Sequence, residues 1–319
     1  MHRIILDTDL SMGDPGSEID DGFALALAHA DPDIRLELIT TVNGNTDVTT
    51  ATRLTRNLAE RLGIDVPVVA GAAAPLLRPD RARTPSHEAE AVEHDASRAP
   101  AAPGYAAVEI ARIVMSNPGE ITLVAIGPLT NVAAALNIEP RFAHSVKEIV
   151  IMGGAFLRQG FHSDIPSEFN TWIDPEAAHA VLHSGAPVRW VGLDVTLQVR
   201  LTRQDARRLV DSGRPFASFA GRYAEHWIDR LVSLYPGDPE HADSCAMHDA
   251  LAVAVTSHPE LATWRDVYVD VVTGDGVGRG VMVTDLLHSK DGRAPNCRIA
   301  IDVDVDAFMA RFLDAISSL

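Results

Sequence analysis

Continuous apolar runs of strand length alternate with helix-length stretches along most of this chain. The apolar runs repeatedly end on glycine or on a polar residue. Arg3-Ile4-Ile5-Leu6-Asp7 is the first run. Leu36 to Val42, Val66 to Gly71, Ile121 to Ile126, Glu148 to Gly154 and Val188 to Asp194 follow. The intervening segments predict helices over about Asp20 to His29, from a Thr46 cap to Leu62 with Gly63 as its stop, and over Tyr105 to Met115. Two more open at Gly127-Pro128-Leu129-Thr130-Asn131 and at Asp174-Pro175-Glu176, where Asp caps and Pro takes the first helical position. Uninterrupted apolar strands alternating with helices indicate parallel pairing with both sheet faces covered. The expected fold is therefore α/β: one domain over residues 1–319, with a largely parallel central sheet, helices on both faces and the active site at the C-terminal ends of the strands.

The remainder is less regular. Residues 72–103, rich in Ala, Pro, Arg and acid, read as a long loop, a length that in compact domains usually marks a lid or a disordered segment. Residues 200–260 read as mainly helical, including an amphipathic run from Phe216 to Leu234 and the stretch from Cys245 to Val253. Strands return near Val267–Val272 and Cys297–Val305, and a helix from about Asp306 closes the chain.

Composition narrows the class. Hydrophobic residues make up 46% of the 319 residues and charged ones 22%, the profile of a soluble globular protein. No apolar run approaches the roughly 18 residues of a membrane span, and no signal-peptide pattern opens the chain, so a cytoplasmic protein is expected. A formal charge of −17 argues against a nucleic-acid polymer as partner, because polyphosphate binding needs a basic surface. It leaves small neutral ligands open. Cys245 and Cys297, the only cysteines, form no disulfide framework or zinc spacing and read as small buried hydrophobes.

In open parallel sheets ligands bind beyond the carboxyl ends of the strands, which directs attention to Asp7 and Asp9, Asn43 and Asn45, the Gly127 turn, Gly153-Gly154 and Asp194. Four carboxylates, Asp7, Asp9, Asp20 and Asp21, gather around the first strand end and repel one another unless a cation neutralises them. Oxygen-only donors suit a hard ion, Ca²⁺ or Mg²⁺. The bland alternative is that Asp20 and Asp21 simply favour a helix N-terminus. Glu168-Phe169-Asn170 and His248-Asp249 are the other polar groups set among apolar surroundings, and each alone is also an ordinary loop or buried structural feature.

In order, Ile5-Leu6-Asp7-Thr8-Asp9 with Ile19-Asp20-Asp21, Thr40-Thr41-Val42-Asn43-Gly44-Asn45, Gly127-Pro128-Leu129-Thr130-Asn131, Met152-Gly153-Gly154, Glu168-Phe169-Asn170, Asp174-Pro175-Glu176 and His248-Asp249 resemble the inosine-uridine-preferring nucleoside hydrolase family over most of the chain. The resemblance implies hydrolysis of the N-glycosidic bond of ribonucleosides by a calcium-bound water that Asp9 deprotonates. It implies Ca²⁺ ligation by Asp9, Asp21 and Asp249 and by the carbonyl of Ile126. Asp20, Asn45, Glu168, Asn170 and Asp249 would hold the ribose, and His248 would lie beside the base, often as an acid for the departing ring. A homo-oligomer, dimer or tetramer, is implied as well.

Three departures from the family pattern stand out. Leu10 to Ile19 separate Asp9 from Asp20, about seven residues more than usual, and Asp14-Pro15-Gly16 within this insert mimics the motif, so Asp14 competes with Asp9. The loop from Leu157 to Ser167 lacks the usual Gly-Asn pair, with His162 near that position. The His-Gly motif of the long loop is reduced to His94-Asp95. Two rival readings remain: a calcium-dependent nucleoside or sugar binder without turnover, and a haloacid-dehalogenase-like phosphatase in which Asp7 is the nucleophile and Asp9 the acid.

Overall fold

In the computed structural model, which describes residues 1–84, 103–158, 160, 165–287 and 292–319, the predicted alternation is realised. The strands are β1 (His2–Thr8), β2 (Ile34–Thr41), β3 (Val68–Ala70), β4 (Ile121–Ala125), β5 (Glu148–Met152), β6 (Val188–Val191), β7 (Arg200–Thr202), β8 (Ser244–Ala246), β9 (Ala262–Val271), β10 (Met282–Asp285) and β11 (Cys297–Val303). Nine of them form a sheet in the order β10-β9-β11-β6-β5-β4-β1-β2-β3. The run from β3 to β6 and on to β11 is parallel, and β9 alone runs against its neighbours β10 and β11.

The segment β3-β2-β1-β4-β5-β6 has the doubly wound order, in which successive crossovers leave β1 in opposite directions. The crevice beyond the ends of β1 and β4 is then the natural binding site. Side chains that alternate along each strand feed two cores. Ile4, Leu6, Val124 and Val150 enter one, where Phe23 meets Phe216 and Phe312 edge-on at 6.3 and 5.4 Å. Ile5, Leu123, Ala125 and Ile151 enter the other, around Phe142 and Trp190. Burial on both faces is why these strands carry no polar alternation. Among the described residues no helix is long and apolar enough to cross a membrane.

Several boundaries differ from the sequence expectation. Asp47, not Thr46, caps the helix Val48–Leu62, accepting from the backbone N–H groups of Thr49 and Thr50. Gly63 closes that helix in the left-handed conformation at φ 68°. Residues 200–260 are not wholly helical. β7 and β8 pair antiparallel, so Cys245 lies in a strand and the following helix begins at His248 (His248–Ser257). The edge strand β10 was unexpected, because four residues after a glycine-rich turn carry no periodic signal.

Two buried side chains fasten the loops at the C-terminal end of the sheet. Asp174 caps the helix Pro175–Leu182 through Ala177 N–H, and its second oxygen accepts from Leu76 N–H at 2.9 Å and Thr130 Oγ1 at 2.6 Å. Asn131 accepts from Ala72 N–H at 2.9 Å and donates to Asp7 Oδ1 at 2.8 Å and to the Thr41 carbonyl at 3.0 Å. It thereby joins the ends of β1 and β2 to the turn after β3. Replacing Asn131 with Ala strands buried partners, and we expect a loss of about 3 kcal/mol in denaturant unfolding. A loss below about 1 kcal/mol would contradict this role for the side chain.

Candidate active site

Asp9 leaves the end of β1 and is held between two glycine turns. A Cβ on Gly44 would lie 2.0 Å from Asp9 Oδ2, and one on Gly127 would lie 2.8 Å from Asp9 Oδ1. The Asn43-Gly44-Asn45 and Gly127-Pro128 turns are thus a cradle for this carboxyl group. Asn45 N–H donates to Asp9 Oδ2 at 2.7 Å, whereas Oδ1 is buried with no hydrogen-bond partner.

The insert after Asp9 folds back as a compact plug. Leu10, Met12 and Ile19 are fully buried, Ser11 Oγ donates to the Glu18 carbonyl at 2.7 Å, and Tyr223 OH donates to the Gly13 carbonyl. Met12 lies so close to the following helix that a Cβ on Gly22 would meet its sulfur at 2.5 Å. The extra residues therefore leave Asp20 and Asp21 in the first turn of the helix Asp20–Ala30, beside the strand end.

A second helix, His248–Ser257, opens at the same place, with Asp249 in its first turn. Two helix N-termini, whose free N–H groups favour negative charge, deliver acids to one point. Carboxylate oxygens of Asp20, Asp21 and Asp249 lie within 4.8 Å of one another. Asp249 N–H donates to Asp20 Oδ2 at 3.1 Å; Asp21 accepts from Thr8 Oγ1 and, at 3.1 Å, from Asn45 Nδ2. Asp9 stands just outside this trio but shares Asn45 with Asp21.

Burial in like-charged company shifts every acid upward. Burial and then the charge of Asp21 raise Asp20 to about 7, and burial raises Asp21 to about 6. Asp9 and Asp249 are pushed well above the usual carboxylate range, first by burial and then by neighbouring acids. Asp7 is also raised, to about 6, by burial, but Thr40 and Asn131 bind its side chain and it is wholly inaccessible. That geometry removes the phosphatase reading, which needs Asp7 as an exposed nucleophile.

Asp20 and Asp249, but not Asp9 or Asp21, line an inner cavity of about 30 Å³ whose walls also include Glu18, Asn45, Ile126, Glu168, Asn170 and His248. Glu168 caps the short helix Phe169–Ile173, accepting from Asn170 and Thr171 N–H groups, and also accepts from Gly154 N–H at 3.0 Å. Asn170 donates to the Ile126 carbonyl at 2.9 Å and so ties the end of β4 to this loop. His248 Nδ1 is hydrogen-bonded to Thr196 Oγ1 at 2.7 Å, which leaves Nε2 for the cavity; burial pushes the imidazole down to about 3, so the ring is neutral.

An outer cavity of about 390 Å³ continues from the inner one, lined by Arg83, Phe169, Trp227, Arg230, Tyr235 and His241 among others. Glu18, Asn45, Phe169 and His248 border both. Asp14 is buried within the insert and lines neither cavity. His94 and His162 lie outside the described residues. The sequence reading missed Glu18, Thr196 and the Trp227–Tyr235 wall; only the proximity of Glu18 to Asp20 along the chain gave any signal. A wider cleft of about 570 Å³ at the opposite strand ends, bordered by His2, Glu148 and Val188, gathers no comparable cluster of acids.

Residues 4–310 match the family model described as inosine-uridine preferring nucleoside hydrolase. The chain is 36% identical over 328 residues to an inosine-uridine preferring nucleoside hydrolase of Leishmania major, covering 99% of this chain and 98% of that protein. It is 37% identical to the non-specific ribonucleoside hydrolase RihC of Salmonella agona, covering 96% and 94%. Among solved structures, a purine-preferring ribonucleoside hydrolase from Gardnerella vaginalis superposes with a TM-score of 0.85 at 28% identity, covering 99% and 98%.

The raised acids fix the sign of a pH effect. The folded protein keeps protons on Asp20 and Asp21 at pH values where the unfolded chain, with carboxyls near the usual 3.8, has lost them. Folding is therefore favoured by these groups at low pH, and that contribution disappears as pH rises through about 6 and 7. With no metal added, the melting temperature should fall between about pH 5 and about pH 8. A metal-free melting temperature that is flat or rises across this window would contradict the electrostatic account.

Proposed function

The chain belongs to the inosine-uridine preferring nucleoside hydrolase family, whose members hydrolyse N-glycosyl bonds, and we propose that its site converts ribonucleosides to ribose and free base with the help of Ca²⁺. The convergence of Asp20, Asp21 and Asp249 from two helix starts is the observation that carries this reading. Release of free bases in this way feeds purine and pyrimidine salvage.

We assign the ion to Asp9, Asp21, Asp249 and the carbonyl oxygen of Ile126. All are oxygen donors, as a hard cation requires, and the buried, unbonded Oδ1 of Asp9 is a donor atom without a partner. A calcium ion held there would neutralise the clustered acids and would supply the positive charge that makes a water easier to deprotonate. Asp9 accepts the proton of that water. As the bond to the base stretches, positive charge develops on the sugar, and carboxylates already fixed around it stabilise that charge without reorganising. Asp20, Asn45, Glu168, Asn170 and Asp249 hold the ribose hydroxyls; His94 and His162, which lie outside the described residues, are further candidates for substrate binding. A site built on hydroxyl contacts disfavours deoxynucleosides strongly, because its polar groups are left unpaired.

His248 acts at the other end of the scissile bond. Thr196 engages Nδ1, so Nε2 is the nitrogen available to the departing ring, and the neutral imidazole serves as a hydrogen-bond partner there. The aromatic surfaces of Phe169, Trp227 and Tyr235 in the outer cavity suit a flat heterocycle.

A panel of ribonucleosides assayed for released reducing sugar, with and without chelator, tests the activity. Turnover that needs added Ca²⁺ is expected, and Asp9→Ala should abolish it. Binding of nucleosides without sugar release would favour the non-catalytic reading instead. His248→Ala should slow natural nucleosides by about 100-fold or more while changing p-nitrophenyl riboside far less, since that leaving group needs little assistance. Equal losses on both substrates would make His248 a structural residue.

A further inference from the structure

We propose that His179, His183 and Asp270 form a second metal site, for a divalent transition metal such as Zn²⁺, independent of the acidic centre. His179 lies in the helix Pro175–Leu182, and His183 directly follows its last residue. The His183 N–H still bonds to the His179 carbonyl at 3.1 Å, so the two residues keep helical register and present their rings on one face, 4.3 Å apart. Asp270 comes from β9, which packs beside this helix. None of the three borders either cavity of the active site.

The spacing is that of a coordination polyhedron. His179 Nδ1 is 3.1 Å and His183 Nε2 is 3.3 Å from the same oxygen, Asp270 Oδ1. Donor atoms each about 2.0–2.1 Å from a tetrahedral ion stand about 3.3–3.4 Å apart. Both nitrogens thus already stand at that spacing from Oδ1, and all three donor atoms lie within 4.8 Å of one another, so rotation of the two rings would close them on one ion with water as the fourth ligand. A metal would replace the ring hydrogens that now face Oδ1, each imidazole carrying its hydrogen on the nitrogen that faces away.

The surroundings support the carboxylate. Val271 N–H donates to Asp270 Oδ1 at 2.9 Å, and the Arg293 guanidinium, stacked over Tyr268 at 4.8 Å, lies 3.9 Å from Oδ2. These contacts fix the orientation of Asp270 as outer-shell partners do. The C-terminal end of a helix, where both histidines sit, also favours a cation. Two imidazoles and one carboxylate select Zn²⁺, Cu²⁺ or Ni²⁺ over Ca²⁺ and Mg²⁺, the opposite preference from the all-oxygen active site. The other described group that includes an imidazole, Asp31, Asp33 and His258, offers a single nitrogen donor.

Equilibrium dialysis against Zn²⁺ in a large excess of Ca²⁺, with Co²⁺ absorption spectra as the geometric probe, tests the site on the intact protein. One equivalent of Zn²⁺ is expected, with a tetrahedral Co²⁺ spectrum. His179→Ala and His183→Ala should each weaken binding by at least about tenfold. Both side chains are substantially exposed, at 49% and 37%, so the variants keep their fold, which circular dichroism verifies, and nucleoside hydrolysis is expected to be unchanged. Absence of stoichiometric binding, or binding in either variant as strong as in the unaltered protein, would overturn the proposal.

Discussion

Mutual repulsion among buried carboxylates is the constraint around which this protein is organised. Asp9, Asp20, Asp21 and Asp249 come from the end of β1 and from the first turns of two helices that are far apart in sequence. Bringing them together in a poorly solvated place costs free energy, as the upward shifts of all four show. Much of the local architecture offsets that cost. Two helix N-termini point at the cluster, Thr8 and Asn45 donate into it, and the glycines at 44 and 127 clear the space that Asp9 occupies. The divalent cation proposed for this site would relieve what remains.

The doubly wound sheet explains why this cluster can exist at all. Strand order reverses at β1 and β4, so the ends of these two strands open a crevice that no crossover helix covers. Asn131 and Asp174 then pin the surrounding turns with buried hydrogen bonds. Across the neck formed by Glu18, Asn45, Phe169 and His248, the lining changes from carboxylate to aromatic and arginine. That change mirrors a nucleoside, polar and electron-deficient at the sugar during cleavage, flat and electron-rich at the base.

The parallel core was legible in the sequence because strands buried on both faces leave an unmistakable apolar run. The cap at Asp174-Pro175 and the stop at Gly63 were legible because each local motif has one stereochemical use. The antiparallel pair of β7 with β8 and the edge strand β10 were not, since segments of three or four residues carry no period and owe their form to tertiary pairing. Thr46 lost the capping position to Asp47, a choice between adjacent candidates that only the backbone decides. The insert Leu10–Ile19 obscured the first acidic motif in sequence, yet its apolar residues bury as a plug, so Asp9 and Asp21 still meet through Asn45. Glu18 and the Trp227–Tyr235 wall escaped notice because lining a cavity is a property of the assembled fold and leaves no trace in local pattern.

Crystals grown in excess Ca²⁺ and measured for anomalous scattering address the central claim most directly. A single peak with oxygens of Asp9, Asp21 and Asp249 at about 2.3–2.6 Å is the predicted result. A peak bound by other residues, or saturating calcium with none of these three carboxylates in contact, would contradict it.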